Sequence, residues 1–213
     1  MTKRIAHWAV GVTTAPRPTA TRNQTLESLA AAGWPDTLVF HDEGKRLGAW
    51  NNWLRAVRGL LEAVRSADAL LVVQDDAVLC RGLRAYLDHT LWPEGGAAIC
   101  SPYCPGVYRA PRPGWHRQDR GWALVGAVCW AMPRAAAEAI LHDLGTVVAT
   151  HRIDARVGRW AAERKQRVWY HWPSLVQHEG IGNSALGDTG VGAIRQATHF
   201  VGTDFRAGKD PWP

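Results

Sequence analysis

No stretch of this sequence stays apolar for the ~18–20 residues that cross a bilayer, so no spanning helix is expected. The opening residues, Met1-Thr2-Lys3-Arg4, lead straight into a strand-like run. They lack the apolar stretch and small-residue cleavage site of a signal peptide. The two absences predict a soluble, cytoplasmic protein. Cysteine is scarce, at Cys80, Cys100, Cys104 and Cys129. None forms a C-x-x-C pair, and no His-x3-His pattern completes a zinc site beside Cys100 and Cys104. Free thiols are the expectation. No internal repeat or linker divides the chain. No Gly-rich, Lys-bearing phosphate loop is present either, which weakens a nucleotidyltransferase reading.

What is present bounds the fold class. The 213 residues are 46% hydrophobic, enough for a packed core and too much for a disordered chain. The formal net charge is +6, and the basic residues are nearly all arginine. Such a surface attracts nucleotides, diphosphates and DNA. The 12 tryptophans divide into core residues, expected of Trp8, Trp53 and Trp130, and flat platforms that suit sugar rings and bases.

Strands and helices alternate along the first third. Residues 5–13 read as a buried strand, followed by a Pro- and Thr-rich loop over 14–22. A helix is expected over 21–32, with Thr21 or Asn23 as N-cap and Gly33 past its end. Residues 37–41 form a second short strand. Residues 49–65 form an amphipathic helix, with Trp50, Trp53, Leu54, Val57, Leu60, Leu61 and Val64 at three- and four-residue spacing. Residues 69–73 are almost continuously apolar, as a parallel strand buried on both faces must be. The stretch over 100–121 is rich in Pro, Gly, Arg and aromatics and reads as a long loop. A strand over 125–132, helices over 133–144 and 154–164 and a strand over 168–172 follow, with a Gly-rich tail over 180–213. This alternation predicts an α/β fold with a doubly wound, mostly parallel central sheet and helices on both faces. Ligands of such sheets bind outside the carboxyl ends of the strands, where Thr13, Asp42, Asp75 and Asp76 fall.

Two adjacent carboxylates at a strand end repel unless a cation or hydrogen bonds stabilise them. Mg²⁺ and Mn²⁺ accept one or two carboxylates together with substrate phosphates. A solvated turn is the plainer alternative, since Asp is common after strands. Later in the chain stands His178, which is either a ligand for such an ion or a hydrogen-bonded structural residue.

These residues carry a resemblance. The first strand with its loop (Val10 to Arg17), the second strand ending at Asp42, and Gln74-Asp75-Asp76-Ala77 are similar to GT-A-fold glycosyltransferases and their acidic DXD-type motif. Residues 173–184, PSLVQHEGIGNS, resemble a P-S-L-x-Q-H-x-G-x-x-S segment of some members. The resemblance implies a single Rossmann-like domain over 1–190. Residues 191–213 would be a tail packing on the domain or the acceptor side. It implies transfer of a sugar from a nucleotide-sugar, expected to be a UDP-sugar, with Mn²⁺ or Mg²⁺. Asp76 would hold the metal and His178 would complete the metal or diphosphate site. Gln74 and Asp75 would contact ribose or donor sugar, and Asp42 the base or ribose. Thr13, Thr14 and Arg17 would line the nucleotide pocket. Asn51 or Asn52 could reach the donor from the long helix, or simply suit a helix start. Trp122 and the amides around Gly126 would lie near the donor sugar.

An inverting transferase needs a carboxylate to take the acceptor's proton. Asp154 is the candidate, with helix capping as its competing role and Asp119 in reserve. The acceptor reads as a saccharide or small hydroxyl compound, or as a hydroxymethylated base in DNA. Arg109, Arg112, Arg117, Arg120 and the arginines at 152, 156 and 159 favour the second modestly. A non-catalytic nucleotide- or nucleic-acid-binding module is the remaining alternative.

Overall fold

The computed structural model describes residues 5–17, 20–95, 98–118, 126–145, 152–180 and 196–213. Along the chain come β1 (Trp8–Thr14), α1 (Arg22–Ala32), β2 (Leu38–His41), α2 (Gly48–Ala63), β3 (Ala69–Gln74), β4 (Ala77–Leu79) and α3 (Leu83–Thr90). Then follow β5 (Ala98–Ser101), β6 (Gly114–Arg117), β7 (Cys129–Pro133), α4 (Arg134–Leu144), α5 (Ile153–Glu163), β8 (Arg167–Trp172) and β9 (Val176–His178).

Seven strands form one sheet in the order β2-β1-β3-β7-β5-β8-β6, and β4 pairs separately with β9. β1 is parallel to β2 and β3, and β5 to β8. β7 runs antiparallel to β3 and β5, and β6 antiparallel to β8. The fold is therefore a mixed α/β fold around a mostly parallel sheet.

Alternation along β3 shows why the sheet needs cover on both sides. Ala69, Leu71 and Val73 join one core with Leu29 and Ala32 of α1, Leu83 and Leu87 of α3, and Leu79 and Val176 of the small sheet. Leu70 and Val72 join the other core, with α2, α4 and α5. A strand apolar at every position fits only such a sandwiched place. On the second face Trp50 and Trp53 stack at 5.9 Å, and Trp130 meets Trp53 edge-on at 5.9 Å. Trp53 and Trp130 are core, as expected, while Trp8 is half-buried and donates its indole N–H to Asp88 at 2.7 Å. All four cysteines are buried and unpaired.

Three readings of the sequence need correction. The 100–121 stretch is not all loop: it begins in the end of β5 and contains the edge strand β6. Gly114-Trp115-His116-Arg117 has no strand signature of its own and is held by pairing with β8. β4, α3 and β9 are absent from the reading of the sequence: the two strands are three residues each and exist as a pair, and α3 spans only eight residues. Of the strand expected over 125–132, the described residues from 126 on form strand only over Cys129–Pro133, since Gly126 adopts φ +80° and the chain enters the sheet afterwards.

The described tail residues pack back on the first core. Ser174 bridges to Phe200, and Arg81 to Arg206. Trp212 lies against Tyr86 and His171, at 5.8 and 5.1 Å between ring centres. His171 is fully buried, which pushes its pKa down to about 4. The neutral ring then donates from Nδ1 to the Pro173 carbonyl and accepts the Tyr86 hydroxyl at Nε2, each at 2.7 Å. Among the described residues no helix is long and apolar enough to cross a membrane.

Candidate functional site

Parallel pairing of β1, β2 and β3 brings their carboxyl ends to one rim. Thr14 stands opposite His41, and Thr13 opposite Gln74. The Asp42 amide donates to the Thr14 carbonyl at 2.8 Å, and the Asp75 amide to the Thr13 carbonyl at 3.1 Å. After β3 the chain turns at Asp75-Asp76 into β4. β9 then supplies a residue from a hundred positions away, because Ala77 pairs with His178 across the small sheet. The Glu179 amide closes the turn by donating to the Asp76 carbonyl at 2.8 Å.

This scaffold gathers Arg17, Asp75, Asp76 and His178 into one buried cluster. Arg17 Nε donates to Asp75 Oδ1 at 2.8 Å, and Nη2 reaches the same oxygen. Arg17 Nη1 donates to Asp76 Oδ2 at 2.7 Å. His178 Nε2 lies 3.0 Å from that same Asp76 oxygen. Asp75 Oδ2 accepts from the Thr14 hydroxyl at 2.5 Å and the Ala15 amide at 3.3 Å. Each aspartate is only 3% exposed. Burial alone would raise the Asp76 pKa, but the His178 hydrogen bond and charge, then Arg17, outweigh it and hold the carboxyl below its ordinary value. Burial likewise works against the charged Arg17, and the two carboxylates reverse that and raise its pKa.

Other expected donor contacts are turned inward. Asp42 accepts the Leu47 and Gly48 amides, both at 2.9 Å, one on each oxygen. Its buried carboxylate therefore ties down the entry to α2. Asn52 is buried and donates to the Phe40 carbonyl at 3.0 Å and the Thr14 carbonyl at 3.3 Å, locking α2 to the ends of β1 and β2. Asn51 donates to the Leu47 carbonyl at 2.8 Å. Thr13 is buried with its hydroxyl near the Val73 carbonyl, and Gln74 is half-buried. Asp154 lies in the first turn of α5, one residue inside the start of the helix. Its two oxygens accept the Ala155 amide at 2.9 Å and the Gly126 amide at 3.1 Å, which anchors the approach to β7 on α5. Asp119, Trp122 and residues 181–184 lie outside the described residues.

Two further residues of the cluster, Thr21 and Tyr103, carried no sequence signal for the site, and Gly180 was marked only as the glycine of the P-S-L-x-Q-H-x-G resemblance. Thr21 donates to the Asp75 carbonyl at 2.5 Å. Tyr103 meets the His178 ring edge-on at 6.4 Å, and its ring is closely approached by Gly126. At Gly180 an added Cβ would stand 2.3 Å from Asp76 Oδ2 and 2.9 Å from His178 Nε2. Only a residue without a side chain fits there.

Could these residues hold a divalent ion? Two buried atoms of the cluster, Asp76 Oδ1 and His178 Nδ1, have no hydrogen-bond partner. The 3.0 Å between His178 Nε2 and Asp76 Oδ2 matches the spacing of neighbouring ligands around an octahedral ion with bonds of about 2.1 Å. No group of three His, Cys, Asp or Glu that could enclose a metal exists among the described residues. The pair fits an ion that takes its remaining ligands from phosphate and water, the usual habit of such cations.

No protein-family model matches the sequence. No curated protein sequence matches it. Solved structures do share its fold. One is a glycosyltransferase involved in the glycosylation of the major capsid of PBCV-1, with a TM-score of 0.52 and 12% identity, over 79% of this chain and 82% of that one. Another is A197 from STIV, with a TM-score of 0.50 and 12% identity, over 79% of this chain and 83% of that one. At this identity the likeness is one of fold.

Proposed function

We propose that the protein is a glycosyltransferase that moves a sugar from a nucleotide-sugar, a UDP-sugar in the first instance, to a hydroxyl acceptor with the help of Mn²⁺ or Mg²⁺. One observation carries this reading. An acid pair at the carboxyl rim of an α/β sheet is brought within hydrogen-bonding distance of both an arginine and a histidine. The fold shared with a glycosyltransferase supports it at the level of architecture.

In this proposal Asp76 and His178 would hold the ion. The ion supplies positive charge to the leaving diphosphate. Arg17 offers a planar guanidinium whose paired N–H groups suit phosphate oxygens. Thr14, Gln74 and Asp75 stand at the rim on the donor side, with Thr13 buried behind them. Asp42, Asn51 and Asn52 shape that pocket through the backbone they hold. Asp154 takes the acceptor proton, its carboxylate oriented by the Gly126 and Ala155 amides.

A cavity of about 440 Å³ suits the acceptor. It is lined by Tyr108, Tyr170 and Trp172, with Arg109, Arg117 and His116 around them. Rings and cations together favour a saccharide, or a modified base with its phosphates. The 102–108 segment links this cavity to the acid pair. Tyr103 faces His178, while Cys104 and Tyr108 line the cavity.

A thermal-shift screen of nucleotide sugars, each with and without Mn²⁺, tests the reading. One donor is expected to raise Tm by several degrees only with the ion present, as binding to the folded state requires. No stabilisation by any nucleotide sugar, with or without Mn²⁺, would contradict it.

A further inference from the structure

The cluster at the rim already contains a cation, and it belongs to the protein. One guanidinium, that of Arg17, bridges both acids: Nε and Nη2 on Asp75 Oδ1, and Nη1 on Asp76 Oδ2. The Arg17 side chain is 8% exposed, so the bridge is shielded from solvent. The two atoms best placed to hold a divalent ion, Asp76 Oδ2 and His178 Nε2, are occupied by each other and by Arg17. Only Asp76 Oδ1 and His178 Nδ1 remain without a partner.

We infer that Arg17 is a resident substitute for the divalent cation, holding the acid pair in the unliganded protein and giving way only when a diphosphate takes its guanidinium. This rests on the reading of the site given above and adds a coupling to it. An ion bound at Asp76 Oδ2 would stand within a few ångströms of the guanidinium, and two positive groups repel strongly at that range in a buried site. Removing Arg17 without a replacement would instead take away the one group that bridges both buried carboxylates, which is costly. An exchange of partners avoids both penalties. The guanidinium fork suits phosphate oxygens as well as carboxylates, so the diphosphate takes Arg17 while the ion takes Asp76. Arg17 is suited to this movement, because it lies in the loop after β1 and not within the strand. That loop is moored independently through Thr14 and Ala15 on Asp75 Oδ2. Ion and nucleotide then bind cooperatively, and the cooperativity resides in Arg17.

The test is a Mn²⁺ titration followed by electron paramagnetic resonance of the free ion, with and without UDP. It compares the natural protein with Arg17→Met. In the natural protein UDP should tighten Mn²⁺ binding about tenfold or more, within the usual range of coupling between sites. Arg17→Met should bind Mn²⁺ alone about tenfold more tightly than the natural protein, and its response to UDP should shrink to about threefold or less. Arg17→Lys is the second variant, since one ammonium cannot span both acids as a fork does. It should bind Mn²⁺ alone several-fold tighter than the natural protein, and it decides the matter if Arg17→Met does not fold. The inference fails by itself if the natural protein binds Mn²⁺ with UDP but the variants bind it no tighter alone, or keep the full UDP effect. A natural protein that binds no Mn²⁺ even with UDP would overturn the functional reading and this inference together.

Discussion

At the scale of single residues, the site depends as much on what is missing as on what is there. Gly180 lets the chain pass against the Asp76–His178 pair with no side chain between. Gly180→Ala is expected to force those two groups apart, since an added methyl 2.3 Å from Asp76 Oδ2 and the buried hydrogen-bonded pair cannot both keep their places. The predicted outcome is a stability loss of about 1–3 kcal/mol, typical of overpacking, together with a fall in Mn²⁺-dependent donor binding. Chemical denaturation and calorimetry measure the two effects, and a variant with natural stability and natural donor affinity would refute the close approach. The acids themselves drew notice in the sequence, because two carboxylates ending an apolar run need a cation, hydrogen bonds or a solvated turn to sit side by side. Which of these was not legible. Arg17 sits in a Pro- and Thr-rich loop with no pattern to announce its partner, and only the family resemblance joined His178 to Asp76, which strand pairing a hundred residues apart brings together. Asp42 and Asn52 show the converse: residue types suited to a ligand are used on backbone groups instead.

At the scale of elements, strong local patterns predicted what the structure contains, and pieces fixed by pairing escaped. β3 and α2 were readable because continuous apolarity and a three-to-four spacing each permit only one environment. β4 and β9 are three residues each and hold together as a pair, while β6 is a strand because β8 lies beside it. No window of sequence contains both partners. The entry to α2 offers a direct test of such tertiary roles. Leu47, the residue before α2, makes no side-chain cap, and the Asp42 carboxylate supplies the missing acceptors from the end of β2. Asp42→Ala is expected to lower stability by about 1–2 kcal/mol, as loss of a cap does. Its effect on donor binding should be no larger than that loosening explains. If the variant melts like the natural protein yet loses donor affinity, Asp42 contacts the ligand and its capping role is secondary.

At the scale of the whole molecule, the sheet explains why the charged residues of the cluster collect where they do. Three parallel strands end together, and their amide and carbonyl groups hold Asp42 and Asp75 in step along one rim. β7 enters antiparallel beside β3, and Val128, just before it, holds the start of the acidic turn, its carbonyl accepting the Gln74 amide at 2.9 Å. The small β4–β9 sheet then adds the histidine, and the tail residues 196–213 cover the first core behind it. The α/β class and the sheet's dominant direction could be read from alternation alone. The antiparallel strands, and so the exact neighbours of the acids, could not. The measurement that tests the central claim most directly is nucleotide-sugar turnover by Asp76→Asn, with the best donor and Mn²⁺, beside a check that the variant is folded. The substitution keeps the side chain's shape and removes its charge. Turnover is predicted to fall by about 10²–10³-fold or more, as when a transition-state charge loses its stabilising group. A folded Asp76→Asn variant that turns over donor at the natural rate would contradict the assignment of this rim as the catalytic centre.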